Sequence, residues 1–251
     1  MMDKRGNTGD GVERTVPGGA VVLNDWVWEL DADALGRKLR LKEGSKRLDE
    51  LRMMVREAQS IGRPKALYRE AFIESRGEDW VAIDGIRLQS RVLRVNVEQA
   101  YRVFPYLATG GVELASWVSS QSDLLRQFWA DAISEAALRL AMARLRRHLL
   151  QQYQLGRISA MAPGSLADWP LEEQGPLFAL LGDTEGTIGV RLTERFLMIP
   201  TKSVSGVFFP TESRFESCQL CTRERCPGRR APYDPALYGT KYGRGEPDPT
   251  E

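Results

Sequence analysis

The stretch Met198-Ile199-Pro200-Thr201-Lys202-Ser203-Val204-Ser205-Gly206-Val207-Phe208-Phe209 decides how the rest of the chain is read. Phe196 to Ile199, which runs into it, and Val204 to Phe209 within it have the β-branched and aromatic content of strands. Just upstream, Ile188, Val190 and Leu192 alternate with polar residues, which predicts a third strand with those three on one face. Just downstream, over 215–233, come all three cysteines of the chain, Cys218, Cys221 and Cys226, spaced C-x2-C-x4-C. Three thiols in so short a loop can converge on one metal, as cysteinates of a [4Fe-4S] cluster or of Zn2+. Arg223, Arg225, Arg229 and Arg230 surround them.

Upstream of the strands lies the strongest helical segment, Ser119 to Tyr153. Leu125, Trp129, Ile133, Ala136, Ala137, Leu140 and Leu145 trace an apolar stripe along it. Asp131, Glu135 and Arg139 are four apart and share a face. Gly156 ends this helix, and Arg157 to Pro170 reads as a long loop with Pro163-Gly164 in its middle. Asp168 to Gln174 has the acidic first turn of a helix, completed by Leu177 to Leu181 and stopped by Gly182-Asp183.

Toward the N-terminus, Ala20 to Leu23 predicts a strand, and Asp31 caps a helix. Leu48, Leu51, Met54 and Val55 predict a second helix, broken at Gly62-Arg63-Pro64. Trp80 to Leu88 is a hairpin turning on Asp84-Gly85, the pair that accepts the positive φ angles of a tight turn. Val92 to Val97 predicts a strand, as does Val103 to Thr109, which runs into Gly110-Gly111, where a backbone or ligand can approach closely. Residues 1–17 and 236–251 are polar and rich in glycine, proline and charge. They are expected to be tails around a single domain over 18–235. The fold class expected is α+β, a twisted antiparallel sheet with flanking helices.

Composition bounds the function. The chain has 251 residues, 42% hydrophobic and 27% charged, with a formal net charge of +1. Nothing in this balance favours nucleic acid or an anionic membrane, and no apolar run approaches the length of a membrane span. No signal-peptide core opens the chain, so cytoplasm is the expected compartment and the thiols are expected to be reduced. The single histidine, His148, sits on the long helix in a packing or surface role and excludes multi-histidine metal sites. The chain has no phosphate-binding loop, no G-x-G-x-x-G after a strand, no nucleophile elbow and no H-E-x-x-H. The missing glycine-rich strand–turn–helix argues against an ordinary S-adenosylmethionine methyltransferase.

Met198 to Phe209 resembles the M-x-P-x-x-S-V-S-G-x-Y-F segment of the reactivation domain of cobalamin-dependent methionine synthase, with Phe208 where that pattern has tyrosine. Asp131 to Ala136 is similar to the helix that supplies an acidic residue to the ligand there, and Arg157-Ile158-Ser159 opens a loop where the family has R-x-x-x-G-Y. The resemblance covers about residues 90–215 and implies a stand-alone activation factor for a corrinoid-binding protein or methyltransferase. Such a factor binds S-adenosylmethionine, caps the partner's cobalamin and, with an electron-donor protein, promotes reductive remethylation of Co(II). It implies ligand positions at Glu135 (for the ammonium), Arg157 (for the carboxylate), Ser159, Gly164, Ser203, Ser205, Gly206 and Phe208. The alternative is a non-catalytic module that binds a corrinoid protein and carries a structural metal on Cys218, Cys221 and Cys226.

Overall fold

A computed structural model describes residues 12–16, 18–212, 215–226 and 228–243. In chain order they form β1 (Val12–Thr15), β2 (Ala20–Asn24), α1 (Ala32–Lys38), α2 (Lys46–Ile61), β3 (Lys65–Arg69), β4 (Ala71–Arg76), β5 (Trp80–Ile83), β6 (Ile86–Gln89) and α3 (Arg91–Asn96). There follow β7 (Arg102–Thr109), α4 (Val112–Ser119), α5 (Leu124–Gln152), β8 (Ile158–Met161), α6 (Gln174–Leu181), α7 (Thr184–Ile188), β9 (Arg191–Leu192), β10 (Met198–Ile199) and β11 (Ser203–Pro210). The class is α+β, with antiparallel strand pairing and helices, as expected. No helix among the described residues is long and apolar enough to cross a membrane.

The chain divides into two compact units, where the composition suggested one domain. The first comprises Met1–Tyr68, Leu107–Leu149 and Leu181–Val204; the second comprises Arg69–Tyr106, Leu150–Leu180 and Ser205–Glu251. Every crossing falls inside a regular element: β3, β7, α5, α6 or β11. No linker composition marks the boundary because no linker exists. Most of the expected tails lies outside the described residues. Of the part that is described, Val12–Thr15 pairs with β2, and Tyr238–Tyr242 makes a short π-helical turn whose Tyr242 is buried.

In the first unit β1, β2 and β3 are neighbours. The apolar cluster here is built by α2, α4 and α5 together with Trp28 and Leu35. α1 starts where expected: the Asp31 carboxylate accepts the Asp33 and Ala34 N–H groups, each at 2.9 Å, and those bonds hold its pKa below the usual value. Ser45 caps α2 through the Leu48 N–H. Leu48, Leu51, Met54 and Val55 are buried, the helical spacing that was read from sequence, and Ala58 extends the buried face by a turn. The helix ends at Gly62, where a Cβ would meet Trp28 Cζ2 and the Ala58 carbonyl, both at 2.8 Å. α5 begins at Leu124 and not at Ser119, because Ser119 closes α4. Trp129, Ile133, Ala137, Ala141, Leu145 and Leu149 are among its buried residues, whereas Leu125, expected on the apolar stripe, lies in the first turn and is exposed.

His148 takes the packing role. Its Nε2 lies 2.8 Å from the Tyr68 hydroxyl, and the two rings are 5.3 Å apart. Burial holds its pKa below the ordinary histidine value; Glu13, at 3.9 Å, opposes this shift and Arg144 adds to it. The folded state therefore favours neutral imidazole. This stability is present in full above the ordinary value of about 6.5 and is lost as pH falls through that value toward the folded pKa. Urea midpoints at pH 7.5 and 5.5 check it: the acid-side loss should be smaller in His148→Gln, and an identical loss in both proteins would contradict the assignment.

In the second unit β7, β4, β5 and β6 lie in that order. The β5–β6 hairpin turns on Asp84 (φ 43°) and Gly85 (φ 78°), the conformation that Asp-Gly predicts. Val92 to Val97, expected as a strand, is the helix α3. Ser90 caps it by accepting the Leu93 N–H, and Asp168 accepts the Val92 N–H at 3.0 Å. Caps and burial of Val92, Leu93 and Val97 override the β-branched composition. β8 lies inside the stretch expected to be loop. It pairs antiparallel with β11, with Ser159 opposite Phe209 and Met161 opposite Val207. The apolar cluster of this unit includes Trp169, Leu177, Val207, Phe209, Phe215 and Tyr242.

Ile188 to Leu192 is also corrected, since only Arg191–Leu192 is extended. Asp183 accepts the Gly186 N–H at 2.8 Å and starts α7, and Gly189 at φ 76° ends it. Gly182-Asp183 does stop α6, as expected, and Asp183 and Gly189 are then the cap and terminus of a further turn.

Candidate functional site

The predicted positions divide between the units. Glu135 and Ser203 belong to the first; Arg157, Ser159, Gly164, Ser205, Gly206 and Phe208 belong to the second.

In the first unit, the turn after β7, the middle of α5 and the start of β11 meet. The Gly110 N–H donates to the Lys202 carbonyl at 2.9 Å. A Cβ on Gly110 would lie 3.1 Å from the Ser134 carbonyl oxygen, so glycine is what lets this turn approach the helix. Ser203 donates to the Thr109 hydroxyl at 2.9 Å, and that oxygen accepts the Gly111 N–H at 3.1 Å. Lys202 reaches Asp131 at 2.8 Å, fastening the start of β11 to α5. Glu135, one turn further along, is partly exposed and paired with Arg139. Of these residues, Asp131, Glu135, Ser203 and the glycine pair carried a sequence signal. Thr109, Ser134 and Lys202 did not, because a side chain that holds a turn has no fixed spacing to its partners.

In the second unit four of the six positions hold the strands together through buried groups. The Ser159 hydroxyl donates to the Phe215 carbonyl at 3.0 Å and accepts the Phe215 N–H at 3.3 Å. Ser205 donates to Gln174 Oε1 at 2.6 Å, and both residues are buried. Phe208 is buried and stacked on Tyr106 with ring centroids 4.4 Å apart. Burial pushes the Tyr106 phenol well above its usual pKa. A Cβ on Gly206 would lie 2.2 Å from the Met161 carbonyl oxygen and 2.9 Å from the Tyr106 hydroxyl. The remaining two positions are exposed. Arg157 follows the end of α5 and donates to the Glu212 carbonyl at 3.2 Å. Gly164 has φ 78° and donates to the Trp169 carbonyl at 2.7 Å. The S-V-S-G signal thus marks mainly how β8 and β11 fit, while Glu135 and Arg157 present charged groups to solvent.

The expected metal centre is not assembled. Cys218, Cys221 and Cys226 are free thiols, each partly exposed. Among the described residues no group of three or more His, Cys, Asp or Glu side chains is placed to hold a metal ion. The loop is organised differently: the Cys218 sulfur accepts the Arg230 N–H at 3.4 Å, and Cys221 packs against the apolar cluster.

Residues 122–227 match the family described as vitamin B12 dependent methionine synthase, activation domain. Among solved structures, the chain is similar to one titled as the crystal structure of the MetH reactivation domain bound to AdoHcy. The TM-score is 0.52 and the identity 18%, over 86% of this chain and 85% of that one. No curated protein gives a match. The chain resembles the methionine synthase reactivation domain in sequence over residues 122–227 and in fold over most of its length. The matched span starts later than residue 90 and runs on past residue 215 through the cysteines.

Proposed function

We propose that the chain is an activation factor for a corrinoid-binding protein or methyltransferase, returning an inactive Co(II) corrinoid to its methylated state with S-adenosylmethionine as methyl donor. The observation that carries this reading is the family match over 122–227, which spans every predicted ligand position from Glu135 to Phe208. The structurally similar reactivation domain is bound to AdoHcy, the molecule left when S-adenosylmethionine gives up its methyl group. Overall, one external electron and the methyl cation of the sulfonium convert Co(II) to methyl-Co(III), with an electron-donor protein supplying the electron.

This chain's residues bind and orient. The Glu135 carboxylate leaves Arg139 to take the ligand's ammonium, and the planar fork of Arg157 takes its carboxylate. The backbone at Ser159 and Gly164 lines the ligand. Ser203, Ser205, Gly206 and Phe208 keep β11 in register. The arrangement assembled in the first unit, Thr109-Gly110-Gly111 against Ser134 and Lys202, fixes the helix turn that carries Glu135.

The test is spectroscopic. A corrinoid protein in the Co(II) state is mixed anaerobically with a one-electron reductant, S-adenosylmethionine and this chain. Methylcobalt should form at a rate that depends on the chain and on the methyl donor together. Formation at the same rate without the chain would count against the proposal.

A further inference from the structure

The cysteine loop carries a device that the activation reading does not use. Cys218 sits in a single 3-10 turn, Ser217–Gln219, closed by a reciprocal capping box between Glu216 and Gln219. The Cys221 N–H donates to the Cys218 carbonyl at 3.3 Å, so the two cysteines are the first and fourth residues of one turn. Such a turn keeps its end Cα atoms within about 7 Å, and disulfides span Cα separations of about 4.4–6.8 Å. One side chain then clamps both ends. The Arg229 guanidinium donates to the Cys218 carbonyl at 3.0 Å and to the Cys221 carbonyl at 3.3 Å, and its remaining bonds go to the carbonyls of Ala231 and Arg223. Cys226 stands outside the clamp, with its carbonyl accepting the Arg229 backbone N–H at 3.1 Å.

The thiols of the clamped pair are unlike each other. The Cys218 sulfur accepts the Arg230 N–H at 3.4 Å, and the Arg230 guanidinium is held by Glu216 at 3.1 Å. Cys221 packs against the apolar cluster that contains Phe215. This is the asymmetry of an attacking and a resolving thiol.

We infer that Cys218 and Cys221 form a reversible dithiol–disulfide pair that exchanges with low-molecular-weight disulfides, and that Arg229 is its positioning residue. The Cys218 sulfur attacks one sulfur of the external disulfide, a mixed disulfide forms, and the first small thiolate leaves with a proton. The Cys221 sulfur then attacks the Cys218 sulfur, the protein disulfide forms, and the second small thiolate leaves with a proton. Two protein thiols are oxidised by two electrons, and one external disulfide is reduced to two thiols. The inference does not depend on the chain binding S-adenosylmethionine.

The test equilibrates the reduced full chain in buffers of varied oxidised-to-reduced glutathione ratio. Acid quenching, alkylation and peptide mass mapping follow. The expected product lacks two alkylation sites, with Cys218 joined to Cys221 and Cys226 alkylated throughout. Cys226→Ser should leave the exchange constant unchanged, and Cys221→Ser should trap glutathione on Cys218. Arg229→Ala, checked for folding by circular dichroism, should lower the constant about tenfold by freeing the turn. Four results would overturn the pairing: a disulfide through Cys226, stable glutathionylation of the parent chain, no loss of thiols at any ratio, or trapped glutathione elsewhere than Cys218. An Arg229→Ala constant equal to the parent's would overturn the role of Arg229.

Discussion

Replacing Gly206 with alanine is expected to destabilise the protein by on the order of 3 kcal/mol, the upper part of the range for overpacking a well-filled interior. The cost is set by which atom stands in the way. The added Cβ would lie 2.2 Å from the carbonyl oxygen of Met161, a backbone atom of the strand paired with β11. A flexible side-chain tip can move aside at small cost, but here a whole strand must shift. The Tyr106 ring closes the other side, with its hydroxyl at 2.9 Å and Cε1 at 3.0 Å from the same point. Movement of β8 would also disturb the Ser159–Phe215 bonds, which join the strand to the segment leading into the cysteines. Urea denaturation of the purified variant measures the effect. A midpoint equal to that of the parent chain would show that β8 and β11 do not meet as described.

Glu135→Gln and Arg157→Ala are expected to weaken binding of S-adenosylmethionine about tenfold each, the value of one charge-assisted hydrogen bond at a partly exposed position. Neither change should cost much stability. Glu135 is paired with a neighbour on its own helix, in a partly exposed i,i+4 pair with Arg139 of the kind worth about 0.3–0.5 kcal/mol. Arg157 is exposed, and its guanidinium donates to the Glu212 carbonyl. The two variants therefore contrast with Gly206→Ala, which acts on the fold. Loss of folding in either charge variant would show that these side chains serve the structure and not a ligand.

The long helix, the Trp129–Ile133–Ala137–Leu145 part of its buried stripe and the Asp84-Gly85 hairpin were legible because each depends on neighbours close in sequence. Spacing alone placed Leu51, Met54 and Val55 inside. The failures share the opposite cause. Helix α3 has the composition of a strand and is decided by Asp168, 76 residues away, at its N-terminus. β8 is four residues long and exists because β11 pairs with it. The two-unit division left no compositional trace, because the chain crosses between units inside strands and helices.

For the candidate site the same distinction holds. The S-V-S-G segment was recognisable, and its physical meaning lies in what its residues touch. Ser205 and Gly206 are buried at strand contacts, and Phe208 is packed on a ring. The cysteines drew attention by spacing, which is blind to the arginine that organises their loop. Arg229 makes its bonds to backbone carbonyls, and any residue supplies those.

The most direct measurement of the central claim is a calorimetric titration of the purified chain with S-adenosylmethionine, run beside Glu135→Gln and Arg157→Ala. Saturable binding at one site, weakened about tenfold by either substitution, is the predicted result. Absence of heat with the folded parent chain, or binding that neither substitution alters, would contradict it.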